Sequence, residues 1–202
     1  MCVIDNTPLL TAKQMEAACA ASGVGYLRVP DGDGSHDSAL NYAAKVADGL
    51  GTEYWGTLDH DVFPRGPVSL VDKIDKAGFY GVGQRHAPTG LRYLFPGFAF
   101  WSRKWLDGRI PNYSGIRGEL ERDDGDCGSM LHELFTKEDW ARMHLGEFGY
   151  GFLRPEDRHG IQSFGFEYFD TNWVHFSNAS GWKVIPDLQG RNRLMMDMLE
   201  GM

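Results

Sequence analysis

The stretch Trp55–Pro64, WGTLDHDVFP, decides how the rest of the chain is read. An apolar run reaches Leu58 and passes directly into Asp59, His60 and Asp61. That pattern predicts a buried strand, Glu53–Leu58, with polar chemistry at its carboxyl end. Two strand–helix units precede it. MCVID (1–5) is a short apolar strand that meets turn residues at Asp5, Asn6 and Pro8. Thr11–Ser22 carries Met15, Ala18 and Cys19 at helical spacing and stops at Gly23. Gly25–Val29 is a second strand. Ser38–Leu50 is a second helix with Leu40, Ala43, Ala44 and Ala47 on one face, and Asp37 is its candidate cap. Strand, helix, strand, helix, strand predicts a Rossmann-like α/β domain with a mostly parallel central sheet. Ligands of such sheets collect beyond the carboxyl ends of the strands. Asp5 and Asp59 are therefore expected on one rim.

Downstream the pattern is less regular. Pro67–Lys76 and Pro186–Leu199 are expected helices, and Phe79–Gly83 an expected strand. Arg92–Trp101 reads as a strand interrupted by Pro96 and Gly97, and Asp126–Thr136 as a helix with acids at its start. Gly146–Trp182 is aromatic and rich in turn residues, which predicts an irregular C-terminal half. No linker composition divides the 202 residues, so a single domain is expected. The 20 basic and 28 acidic side chains give a net charge of −8, which argues against a nucleic-acid backbone as partner. Cys2, Cys19 and Cys127 are odd in number and match no zinc or redox spacing. The opening MCVIDNTPLL lacks the basic segment of a signal peptide, and no run approaches the length of a membrane span. These features predict a cytoplasmic protein without a membrane span.

Alternate residues of an extended segment share a face, so Asp59 and Asp61 are placed to offer both carboxylates to one divalent cation. The plain alternative is a pair of solvated acids at a strand end. The surroundings extend the first reading. LDHDVFP followed by PVSLVDKI resembles the Asp-x-Asp region of GT-A-fold glycosyltransferases. Five further segments resemble that family in the same order: VIDNTP, GDGSHDSALNYAAK, YLFPGFAFW, DDGDCGSMLHEL and NWVHFSNASGWK. The resemblance covers nearly the whole chain. It divides residues 1–66, as a nucleotide-binding half, from 67–202, as a half for the donor sugar and acceptor. Relative to the family, the chain opens one strand–helix unit late.

The resemblance implies a metal-dependent transferase that takes a sugar from a UDP- or GDP-type donor to an acceptor it does not specify, using Mn²⁺ or Mg²⁺. It implies Asp61 as direct metal ligand, Asp59 as its assistant through water or ribose, and His175 as the completing ligand. Read alone, His175 is equally a histidine of an aromatic cluster, flanked by Trp173, Val174 and Phe176. Asp5 is implied at the nucleotide base, and Ser180, Gly181 and Lys183 at the diphosphate; Lys183 is equally a surface lysine. Gly97 and Phe98 are implied to shape the sugar site. Asp126 is the candidate general base of an inverting reaction, with Asp123 and Asp124 as alternatives and N-capping as its structural role. Two other readings remain open. One is a haloacid-dehalogenase-like phosphohydrolase with Asp59 as nucleophile. The other is an inert sugar-nucleotide binder.

Overall fold

A computed structural model of the chain describes residues 1–6, 9–30, 35–85, 90–116, 127–143, 150–152, 165–169, 172–176 and 187–201. Its N-terminal part follows the alternation of the sequence. Strand β1 (Cys2–Asp5) leads through helix α1 (Leu9–Ala21) to strand β2 (Gly25–Arg28), and the two strands pair in parallel. Helix α2 (His36–Leu50) follows. Its cap is Ser35, whose side chain accepts from the Ser38 N–H, while Asp37 lies inside the first turn. A glycine in the left-handed region, Gly51, ends it.

From strand β3 (Tyr54–Leu58) onward the architecture departs from the expectation. β3 does not join the β1–β2 sheet. It pairs antiparallel with β6 (Arg92–Ser102), and β6 pairs antiparallel with β5 (Phe79–Arg85). A third sheet, in the order β4-β9-β8-β7, is also antiparallel. Its strands are β4 (Val62–Pro64), β7 (Tyr150–Phe152), β8 (Gly165–Phe169) and β9 (Trp173–Phe176). The mostly parallel Rossmann-like sheet is thus overturned: the protein is α/β, but among the described residues only the two-stranded sheet is parallel. The region expected to be irregular supplies three of the four strands of the third sheet.

The physical reason lies in β6. A continuous apolar run signals burial on both faces, which parallel sheets usually have. Here an antiparallel strand has it as well. Ala99 and Trp101 join one core with Leu40 and Ala44 of α2, Leu131 of a 3-10 helix (Ser129–Leu134) and Phe135. Phe98 and Phe100 join a second core with Phe169 and Trp173 of the third sheet and Ile74 of α3 (Val71–Ala77). Hydrophobicity reports covering, not strand direction. Short helices α4 (Arg103–Leu106) and α5 (Lys137–Arg142) and the C-terminal α6 (Leu188–Glu200) complete the elements. Among the described residues no helix is long and apolar enough to cross a membrane.

Pro96 and Gly97 do not interrupt β6; they bend it. Gly81 pairs with Ala99, but the next pair on β5 is Gly83 with Leu94. Phe95–Phe98 therefore bulge from the ladder, where a proline's missing N–H is tolerated. The Pro96 carbonyl accepts a 2.6 Å hydrogen bond from the buried Thr57 hydroxyl. Tyr113 and Trp101 extend that network, with Trp101 Nε1 donating to the Tyr113 hydroxyl at 3.0 Å.

Two glycines give a test of this packing. Gly78 closes α3 at φ +85°, and an added Cβ would run into the Trp105 ring. Gly49 lies within α2, with open space where a Cβ would go. Gly78→Ala is expected to lower stability by more than about 1 kcal/mol, and Gly49→Ala to raise it by about 0.5–1 kcal/mol. Urea denaturation of both variants reads the two opposite signs.

Candidate functional site

The Asp59–Asp61 segment joins the β3-β6-β5 sheet to the third sheet, and it turns rather than running straight on. Val62 N–H closes the turn on the Asp59 carbonyl at 3.2 Å. The two carboxylates consequently meet different partners. Asp59 N–H donates to the Gly97 carbonyl at 2.8 Å, inside the β6 bulge. Its side chain lies against Gly97, where an added Cβ would collide with Oδ2. His36, the first residue of α2, places Nε2 2.9 Å from Asp59 Oδ1. The Asp59 carboxylate, and next the Cys127 side chain, hold the His36 imidazolium, raising its pKa to about 10.

Asp61 lies in the turn just before β4 of the third sheet. Its carbonyl accepts from Phe176 N–H at 2.9 Å, and the following residue, Val62, pairs with His175 across β4 and β9. That register brings His175 Nε2 to 3.7 Å from Asp61 Oδ1, too far for a hydrogen bond. The Oδ1 atom is buried and has no hydrogen-bond partner among the described residues. Burial pushes the Asp61 carboxyl above the usual carboxylate range; the nearby His175 and His60 imidazoles oppose the shift. The other nitrogen of His175, Nδ1, lies 2.6 Å from Glu167 Oε1. Glu167 faces His175 directly in the β8–β9 ladder. The imidazole is flanked by the rings of Phe95, at 5.3 Å between centroids, and Phe169, at 5.0 Å. His175 is therefore at once a member of an aromatic cluster and a group with one nitrogen aimed at a buried carboxylate.

His175 also forms part of the wall of a cleft of about 400 Å³, shared with Glu167, Phe95, Phe169, Tyr93 and Arg85. That volume is in the range of small-molecule sites. Arg85 adds a guanidinium to a lining that also includes the Glu167 carboxylate and three aromatic rings.

Of the sequence-derived candidates, the structure brings Asp61 and His175 together, and Asp59 with Gly97. Phe98 is fully buried in the second core, against Trp173 at 5.0 Å, so it supports the site from behind. Asp5 ends β1 and Asp59 follows β3, strands of different sheets rather than neighbouring strands of one parallel sheet. Asp5 is buried, and it accepts from the Tyr26 hydroxyl at 2.5 Å and from Arg28 at 3.1 Å. Asp126, with its alternatives Asp123 and Asp124, and Ser180, Gly181 and Lys183 lie outside the described residues.

Glu167 and His36 were missed by the sequence reading. Glu167 had a usable signal. FEYF and WVHF are two aromatic runs separated by Asp-Thr-Asn, and a hairpin reading places Glu167 opposite His175. His36 had none, since it meets Asp59 only through the docking of α2. Among the described residues no group of three or more His, Cys, Asp or Glu side chains converges as a metal cage. Comparisons with protein-family models, with curated proteins and with solved structures found no match.

The His36–Asp59 pair has a defined pH signature. A histidine with a raised pKa adds stability that is whole below its ordinary value, 6.5, and lost as pH rises through about 10. The melting-temperature advantage of the wild type over His36→Gln is expected to shrink steadily between pH 7 and pH 10. Thermal melts across that range measure it.

Proposed function

We propose that this protein is a divalent-cation-dependent transferase that moves a sugar from a nucleoside-diphosphate donor to an acceptor hydroxyl. The observation that carries the reading is the buried, unpartnered Asp61 Oδ1 facing His175 Nε2 at 3.7 Å. Two ligand atoms bound to one cation, each at roughly 2.0–2.2 Å, stand a little over 3 Å apart, so a small closure suffices. A ligating histidine commonly gives its second nitrogen to a carboxylate, which fixes the ring. Glu167 does this for His175. Mn²⁺ accepts both imidazole and carboxylate, and Mg²⁺ at nucleotide sites is held by one or two protein groups with phosphates and water filling the rest. A pair of protein ligands therefore fits a cation whose other ligands arrive with the donor.

Bound there, the cation would neutralise charge that grows on the departing diphosphate. The protein's own groups do the remaining work. Glu167 orients His175, and the Phe95 and Phe169 rings, themselves in contact, pack against the imidazole. Gly97 lets the β6 bulge approach Asp59, while His36 holds that carboxylate. The aromatic cleft beside His175 is the place for the donor, and Arg85 is the group there with charge complementary to an anion. The acceptor base is assigned to Asp126. The same reading puts the protein in a reducing cytosol, in keeping with Cys2, Cys19 and Cys127 all being free thiols.

Thermal shift with Mn²⁺ or Mg²⁺, alone and with UDP, GDP or CDP, tests the proposal. Stabilisation by one nucleotide that requires the cation, and that disappears in Asp61→Ala, is the expected result. No response to any nucleotide, with hydrolysis of an aryl phosphate, would turn the reading to a phosphohydrolase. Asp61→Asn separates stability from function. Without metal it removes a desolvated charge and is expected to raise the melting temperature by roughly 2–4 °C, about 1 kcal/mol. With metal and nucleotide it is expected to lose the cation-dependent shift.

A further inference from the structure

Strand β5 lines two clefts in succession. Val82–Arg85 line the one beside His175, and Phe79, Tyr80 and Gly81 line another, of about 300 Å³. The other walls of this second cleft are Lys73, Lys76 and Ala77 of α3 and Arg142 of α5. Every charged side chain that lines it is cationic. The chain as a whole has 28 acidic against 20 basic residues, so the cleft reverses the sign of the molecule locally. The two acids of α3 do not line it. Asp75 accepts from the Tyr54 hydroxyl at 2.6 Å, and Asp72 from the Ser69 hydroxyl at 3.4 Å.

Two of the three cations are held in place. The Lys73 ammonium donates to the Tyr80 hydroxyl at 3.2 Å and lies 4.8 Å from the centre of the same ring. Arg142 is bonded to Asp139 of the α5 capping box, and its guanidinium lies 6.0 Å from the centre of the Phe79 ring. Nearly half of the Arg142 side chain is still open to water. Lys76 is exposed, and among the described residues it has no carboxylate partner. Lys73 and Lys76 are three residues apart on one helix, so their charges are neighbours and repel. The rings are already engaged: Tyr80 stacks on Phe100, and Phe79 packs on Trp105 and Phe135. They fix the cations, and what the cleft presents to a ligand is positive charge.

We propose that this cleft binds the phosphate group of a small phosphate monoester. Such a group carries about −1.5 to −2 charge at neutral pH and several strongly accepting oxygens. Two ammonium groups and a guanidinium match both the charge and the number of acceptors, and an anion between the lysines removes their repulsion. A carboxylate, with a single charge, would compensate them less. Lys73 and Arg142 are fixed beforehand, so less side-chain ordering opposes binding. A cleft also focuses the field of its charges, which draws an anion here against the net charge of the protein. The volume lies at the lower end of small-molecule sites, enough for a phosphate on a short carrier.

Isothermal titration calorimetry of the full chain at low salt, with glycerol 3-phosphate as the probe, tests the proposal. EDTA is present throughout, which keeps the measurement apart from the cation-dependent site proposed above. The wild type is expected to bind the probe with a Kd below about 1 mM, to bind glycerate at least roughly tenfold more weakly, and to give no heat with glycerol. Lys73→Gln and Arg142→Gln are each expected to weaken binding roughly tenfold, and Lys76→Gln roughly threefold. Lys13→Gln, on the exposed side of α1 and outside the cleft, is expected to change nothing. No heat with glycerol 3-phosphate would overturn the proposal, and so would glycerate binding as tightly. An unchanged affinity in Lys76→Gln, or an equal loss in Lys13→Gln, would overturn it too, by assigning the anion to the surface at large. Lys76 is exposed, so that comparison stands even where Arg142→Gln fails to fold.

Discussion

The carboxylate of Asp59 rests against the Cα of Gly97, an approach that only a residue without a side chain permits. Around this contact the candidate site is organised. It requires the Phe95–Phe98 bulge in β6, and the bulge in turn directs Phe95 onto His175 and Pro96 onto Gly128. The bulge is held in place by burial. Thr57 donates to the Pro96 carbonyl from inside the sheet, and Phe98 is wedged among Phe100, Phe169 and Trp173. A strand covered on both faces has little freedom to straighten, so packing energy keeps a locally irregular backbone in one shape.

Local periodicity was readable, and pairing was not. The apolar run before Asp59 gave β3, and the helical spacing of Leu40 and Ala44 gave α2, because both patterns concern residues close in sequence. The direction of β6 relative to β3 could not be read. YLFPGFAFW has the same composition whether its neighbours run with it or against it. The Asp59–Asp61 pair shows the same limit at the scale of the site. Extended geometry would point both carboxylates to one face, but the chain turns at His60, and tertiary partners draw Asp59 toward α2 and Asp61 toward β9. The 3-10 helix at Ser129–Leu134 is a further case. Acids before an apolar run suggested an α-helix starting at Asp126, and the described part forms a tighter, shorter turn against β6.

Asp61 and Asp59 illustrate two ways of keeping an acid at the edge of a core. Asp59 stays partly hydrated and is matched by a cationic side chain, so its charge is locally compensated. Asp61 is more deeply buried, and one of its oxygens has no donor, a condition that costs free energy in a folded protein. Proteins tolerate such costs chiefly where function requires them. The difference between two acids two residues apart therefore marks Asp61 as the group with unspent binding capacity.

The Asp61–His175 pair is also a product of strand register. Val62 faces His175 across β4 and β9, and Glu167 faces it across β8 and β9. A slip of one residue in either ladder would send the imidazole to the opposite face. The partners come from distant parts of the chain, so their meeting belongs to the slow, nonlocal stage of folding. A ligand held between them would recognise only molecules in which the late hairpin has docked in the right alignment. By mass action it would draw the folding equilibrium toward those molecules, making the site a proofreader of its own assembly.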